Sequence, residues 1–146
     1  MTDYFEDLLN AIRDLRQIMK DITYKLYRDA ELTLPQIGVV AVLSEQGPCK
    51  VSSISKYLGL ANSTVSGIID RLVKKGIVER TRLETDRRSV VISLTEGSDQ
   101  YYVKYKEKRD IFILEKLKDL NPSEAREMTD ILLRLNGYLK DSRESH

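Results

Sequence analysis

A chain of 146 residues fits the size of one domain and is long enough to bury a real core. With 41% hydrophobic and 32% charged residues, its composition excludes both a disordered chain and a membrane-spanning one. The net charge of +1 says nothing about nucleic acid, and the longest nearly uninterrupted apolar run, Ile37 to Leu43, is far too short to cross a bilayer. The first residues, Met-Thr-Asp-Tyr-Phe-Glu-Asp, are acidic and place no basic stretch before an apolar one, so no signal peptide is expected. A single cysteine, Cys49, precludes an internal disulfide and fits a cytoplasmic location. The only histidine is His146, which leaves no Ser-His-Asp or Cys-His pairing, and no enzyme is expected. No phosphate or dinucleotide loop occurs, so no cofactor is expected. One Cys and one terminal His cannot build a usual zinc site; no metal is expected, although carboxylate clusters leave that door open.

The first segment, from about Asp3 to Arg28, reads as one long helix. Leu8, Ile12, Leu15, Met19, Ile22 and Leu26 recur at alternating spacings of four and three, a heptad-like seam on one face. Thr33-Leu34-Pro35-Gln36 is a helix start, with Thr33 as cap, Gln36 completing a capping box and Pro35 in the first turn. That helix should run to about Glu45 and stop at Gly47-Pro48. A short helix follows over about Ser52–Leu58, stopped by Gly59. Asn62 offers an N-cap for the next, which runs to Lys75 and ends at Gly76. Two short helices joined by a tight turn containing Gly form a helix-turn-helix. The period then becomes alternating over Ile77–Thr81 and Ser89–Leu94, two strands with Val90, Ile92 and Leu94 on one face. Thr95 is placed to cap a further helix to about Leu117. Asn121-Pro122-Ser123-Glu124 opens the last, whose Met128, Ile131, Leu132, Leu135 and Leu139 share a face.

Chemistry concentrates between Lys50 and Arg88, where nine Lys/Arg stand against four Asp/Glu; elsewhere fifteen stand against nineteen. A basic middle between acidic ends suits a phosphate backbone, though a solvated surface accounts for the same charge. In the second helix of the helix-turn-helix, Val65, Ile68, Ile69, Leu72 and Val73 face the core. The other side shows Ser63, Thr64, Ser66, Gly67, Asp70, Arg71 and Lys74. Small residues let a helix sit deep in a major groove, where hydroxyls reach base edges or phosphates. Gly67 costs about 1 kcal/mol of helix propensity against alanine, so something else must favour it. Close approach of DNA is one reason and relief of crowding against a neighbouring helix is the other. Between the strands, Arg82, Arg87 and Arg88 crowd one polar loop, with Asp86 placed to hold an arginine. An arginine on a ribbon tip suits a narrow minor groove; taken without the preceding helices, the loop reads as an exposed charged turn.

The segments Leu32–Gln36, Ile54–Leu60, Ser63–Ser66, Ile69–Arg80, Asp86–Arg88 and Leu94–Gly97 together resemble, in order, the MarR family of winged helix-turn-helix regulators. Ser55 departs from the alanine common there, a small change. The resemblance implies a mainly α (α+β) fold, with a small two- or three-stranded wing and long N- and C-terminal helices forming a dimerisation domain. It implies a helix at 62–75 in the major groove, with Ser63, Thr64 and Ser66 on bases or phosphates and Arg71 on the backbone. Arg88 would be the minor-groove arginine, while Arg80 and Asp86 brace the wing. The expected division is residues 1–30 as an N-terminal dimerisation helix, 31–97 as the DNA-binding lobe and 98–146 as C-terminal dimerisation helices.

A homodimer also follows from the residues themselves, because the Leu8–Leu26 and Met128–Leu139 seams lie outside the central lobe and need a surface to bury against. Two-fold symmetry then calls for a pseudo-palindromic operator with half-sites about one turn apart. The expected function is a sequence-specific double-stranded DNA-binding regulator, a repressor as is commoner in the family. The rival is a winged-helix interaction or architectural module with no regulatory ligand. Members of this family often bind small aromatic or phenolic ligands near the junction of lobe and dimer helices. Arg16, Tyr24, Tyr27 and Arg28 stand near that junction, although tyrosines at helix ends also serve as core-edge packing. Some members sense oxidants through a cysteine in the first helix; Cys49 lies in a loop instead and reads as incidental.

Overall fold

The computed structural model describes residues 3–28, 30–86 and 88–141. The elements are α1 (Asp3–Tyr27), α2 (Leu34–Gln46), α3 (Val51–Leu58), α4 (Asn62–Lys74), β1 (Val78–Arg82), β2 (Val90–Leu94), α5 (Gln100–Lys116) and α6 (Pro122–Asp141). Helices dominate, with one small antiparallel sheet, as the sequence leads one to expect. Two compact units divide the chain, the break falling inside α5 between Asp110 and Ile111.

In the first unit everything is arranged around α2. Its start is fixed locally: the Gln36 amide donates to Thr33 Oγ1 at 3.4 Å, and the Thr33 amide donates to Gln36 Oε1 at 3.1 Å. Ile37, Val39, Val40, Val42 and Leu43 are all buried, so α2 is apolar on nearly every side and must be enclosed. α3, α4 and β2 pack against it, and Ile54, Val65, Ile69, Leu72 and Ile92 complete one continuous core. Each large side chain so buried contributes about 1.5–3 kcal/mol. Ser55 belongs to this core without leaving an orphan hydroxyl, since its Oγ donates to the Val51 carbonyl at 2.9 Å.

Two helix starts differ from the sequence reading. α4 is capped by Ala61, not Asn62; Asn62 is the first helical residue, and no side chain caps this end. The tight turn after Gly59, which adopts φ 68°, uses up the chain one residue earlier than the hydrogen-bonding side chain. Thr95 does not cap α5, which begins at Gln100. Its hydroxyl is committed to the end of α4 instead, 2.6 Å from the Gly76 carbonyl oxygen and 2.6 Å from Ser98 Oγ.

β1 and β2 pair antiparallel from Val78↔Leu94 to Arg82↔Val90. A single bridge extends them, with Cys49 donating to the Ile92 carbonyl at 3.1 Å and Ile92 donating back at 2.8 Å. Burial pushes the Cys49 thiol above its usual range, the opposite of an activated thiolate.

α1 enters the core only at its last turn. Tyr27 is buried against Tyr105 with ring centroids 4.2 Å apart, and its hydroxyl donates to the Tyr105 carbonyl at 2.5 Å. Lys108 Nζ donates to the Leu26 carbonyl at 3.0 Å, satisfying one orphan acceptor at the end of α1. In the second unit, Asn121 and Glu124 form the reciprocal box that starts α6, at 3.1 and 2.9 Å.

Burial and the neighbouring Tyr105 push the Tyr27 hydroxyl up to about 12; a hydrogen bond to Glu45, with burial, does the same for Tyr102. Unfolded tyrosine releases its proton near pH ~10. Between there and about 12 the unfolded chain therefore binds fewer protons than the folded one, and stability falls as pH rises. The urea midpoint should be steady below pH ~9.5 and drop between about 10 and 12, with a shallower drop in Tyr27→Phe. Equal slopes in the two proteins would show that Tyr27 titrates without resistance from the fold.

Candidate nucleic-acid interface

α4 divides cleanly into two sides. Val65, Ile68, Ile69 and Leu72 are buried, while Ser63, Thr64, Asp70, Arg71 and Lys74 are exposed and Ser66 and Gly67 are half-buried. Val73, expected in the core, is 37% exposed at the helix end, where the chain is already turning away. The missing side-chain cap leaves the first amides of α4 to be satisfied from outside the helix, next to Ser63 and Thr64. That end carries the positive pole of the helix dipole, suited to an anion.

Gly67 decides between the two reasons for its presence. A Cβ built on it meets nothing within 4 Å, so no neighbouring helix is being accommodated within the chain. The backbone there is kept bare toward open space, on the same face as the two hydroxyls.

The loop from Leu83 to Ser89 is held by its own backbone: Leu83 donates to Ser89 at 3.1 Å and Ser89 donates to Asp86 at 3.0 Å. Asp86 accepts from the Arg88 amide at 3.0 Å and from the Ser89 hydroxyl at 3.1 Å. Among the described residues it therefore grips the backbone of Arg88 and not a guanidinium; a short acceptor two residues upstream reaches the amide first. Arg82 and Arg88 are both exposed, whereas Arg87 lies outside the described residues. Arg80 reaches across from β1 to Asp70 on α4 at 2.5 Å. This pair is exposed, so its value is positional more than energetic. Asp70 reads in sequence only as part of a solvated face, because its partner is ten residues away on a strand.

Two concavities flank the first turn of α2. One, of about 420 Å³, lies between that turn and the exposed side of α4 and includes Thr33, Pro35, Gln36, Ser63, Gly67 and Arg71. The other, of about 210 Å³, is lined by Tyr27, Leu32, Ile37, Tyr101, Tyr105 and two lysines, Lys104 and Lys108. Of the four residues expected near a ligand, this cavity includes Tyr27 alone. Tyr24 is 62% exposed on α1, and Arg16 lies about three turns from Tyr27 up that helix. Arg28 does not line the cavity. The aromatic and basic residues of α5 that do line it gave no sequence signal, because nothing in their spacing says that α5 folds back over α2.

Of the seam residues, Leu8, Leu15, Met128, Ile131, Leu132 and Leu139 are exposed, and Ile12, Met19 and Leu135 are half-buried. Tyr4, Phe5 and Leu9 add to the apolar surface of α1, and Leu133 to that of α6.

The family model described as the MarR family matches residues 32–90. The HTH-type transcriptional regulator YfiV of Bacillus subtilis is 33% identical over 114 residues, spanning 78% of this chain and 71% of its own. A MarR family protein from Bacillus stearothermophilus shares the fold at TM-score 0.87 and 24% identity, over 96% of this chain and 99% of its own. BpsR of Bordetella bronchiseptica, whose DNA binding is regulated by 6-hydroxynicotinic acid, matches at TM-score 0.65 and 24% identity, over 87% and 91%.

Because Gly67 faces open space within a helix, Gly67→Ala should raise folding stability by up to about 1 kcal/mol in chemical denaturation. The same variant should bind duplex DNA more weakly. A stabilised variant with undiminished DNA binding would show that α4 does not approach DNA at Gly67.

Proposed function

Because the chain belongs to the MarR family of DNA-binding transcriptional regulators, we propose that it acts as a cytoplasmic homodimer repressing transcription from a pseudo-palindromic operator until a small ligand releases it. The observation that carries this reading is the exposed side of α4: two hydroxyls and a bare Gly67 at its start, then Arg71 and Lys74, with the arginine-bearing wing beyond. In this reading Ser63, Thr64 and Ser66 meet bases or phosphates in the major groove, and Gly67 lets the helix come close. Arg71 and Lys74 neutralise phosphates. The wing, with Arg82, Arg87 and Arg88, enters the adjacent minor groove, while Arg80 and Asp86 hold it in shape.

The exposed apolar residues along α1, and separately those along α6, support dimerisation, since apolar surface of that kind marks an interaction site. Residues 1–30 and 98–146 then supply the subunit contacts, and 31–97 the DNA-binding lobe. The aromatic cavity under α5, with Lys104 and Lys108 on its wall, suits a small aromatic or phenolic anion, and takes the place of Arg16, Tyr24 and Arg28 as the candidate site.

Fluorescence anisotropy of the purified protein on its own promoter region, across a salt series, tests the reading. Binding should prefer one pseudo-palindrome and weaken steeply with salt. Arg88→Ala should lose about 1–3 kcal/mol of affinity. Weak, uniform binding to every sequence would favour an architectural module instead. A second measurement addresses the cavity: 6-hydroxynicotinic acid or a hydroxybenzoate should raise the melting temperature and weaken operator binding, and both effects should fade in Lys104→Ala. Retention of both in that variant would place the ligand elsewhere.

A further inference from the structure

At the groove between α2 and α4, the capping box uses only the oxygen of the Gln36 carboxamide. Gln36 is only 4% exposed, and its carboxamide oxygen is fixed by the Thr33 amide at 3.1 Å. An amide donor needs an acceptor, so this bond sets which end of the carboxamide is oxygen and leaves the nitrogen as the other. That nitrogen has no partner among the described residues, yet it is not a sealed, unsatisfied atom; Ser44 Oγ alone has that status among them. Gln36 lines the groove together with Arg71, Ser63 and Gly67. A nearly buried amide is therefore held by its capping bond at the wall of a concavity that also carries the Arg71 side chain and the uncapped first turn of α4.

The geometry points to a seat for one DNA backbone phosphate in this groove, with the Gln36 carboxamide N–H and Arg71 as donors. The inference rests on α4 docking against DNA and adds a contact from α2. Gln36 is locked by its capping bond, so it loses little rotamer freedom on binding and sets how deep α4 can sit. A phosphate contact positions without reading sequence.

Gln36→Glu separates this role from the capping role. A glutamate oxygen still accepts from the Thr33 amide, since Glu completes a capping box as well as Gln does. The donor facing the groove becomes an anion. The variant should keep its melting temperature and bind every duplex about tenfold to a hundredfold more weakly, with the ratio of operator to random DNA unchanged. Should it fail to fold, neutral methylphosphonates walked along each strand give the same answer with the wild-type protein: one position per half-site, beside the bases facing Ser63 and Thr64, should weaken binding, and Arg71→Gln should abolish that sensitivity. Undiminished binding by a folded Gln36→Glu, or a loss confined to one base pair, overturns the seat while wild-type binding leaves the DNA-binding reading intact. No binding of the wild type to any duplex overturns both.

Discussion

The relation between α4 and the hairpin of β1 and β2 hangs on one left-handed residue. Gly76 adopts φ 73°, which lets Ile77 donate back to the Leu72 carbonyl at 3.0 Å and closes α4 as its chain turns into β1. A side chain at that angle would cost about 1–2 kcal/mol. The turn is then clamped from the returning strand: Thr95 donates its amide to the Ile77 carbonyl at 3.0 Å and brings its hydroxyl to the carbonyl of Gly76. Arg80 and Asp70 tie the same two elements a few residues further along. A hairpin that hangs from a helix by a single bond would swing; this one is held at its base, at the turn, at the strand end and by an ion pair. In the proposed docking the tip and the helix would meet two grooves of one rigid duplex, so the wing would depend on that fixed base.

This hierarchy explains what is legible in the sequence. Gly76, the Thr33–Gln36 box, the Asn121–Glu124 box and the alternating Val90, Ile92 and Leu94 are local signals, in which the determining bond spans three to five residues or the pattern itself is the evidence. Asn62 and Thr95 mislead for an equally definite reason. Both are good capping residues by type, but Asn62 is overtaken by the geometry of the turn at Gly59, and Thr95 is claimed by carbonyls eighteen and nineteen residues away. Propensity ranks what a residue can do alone; the competing acceptor is a tertiary fact. The same holds for Asp70, whose partner arrives only when β1 folds back. Among the described residues, Asp86 accepts from the nearby donors of Arg88 and Ser89 and not from the guanidinium that composition suggests.

The site reads less completely than the fold for a further reason. The exposed side of α4 is visible in sequence because its inner side is periodic, and what is not core must face outward. A cavity has no such complement. Tyr101, Lys104, Tyr105 and Lys108 fall at positions i, i+3, i+4 and i+7 along α5 and read as an ordinary amphipathic stripe. Tertiary contacts, Tyr27 against Tyr105 and Lys108 on the Leu26 carbonyl among them, bring that stripe to the start of α2.

The first turn of α2 thus has two faces. Leu32 and Ile37 line the aromatic cavity, and Thr33, Pro35 and Gln36 line the groove beside α4. A ligand shifts DNA affinity only by as much as it prefers one arrangement of the protein over another. A turn fixed by two reciprocal hydrogen bonds and a proline does not deform by small degrees: it keeps its geometry or loses the box. On the proposed reading, a ligand in the cavity would act on the groove by displacing the whole turn, Gln36 with it. Coupling through this element needs no path across the core, because the two surfaces are separated by one turn of helix.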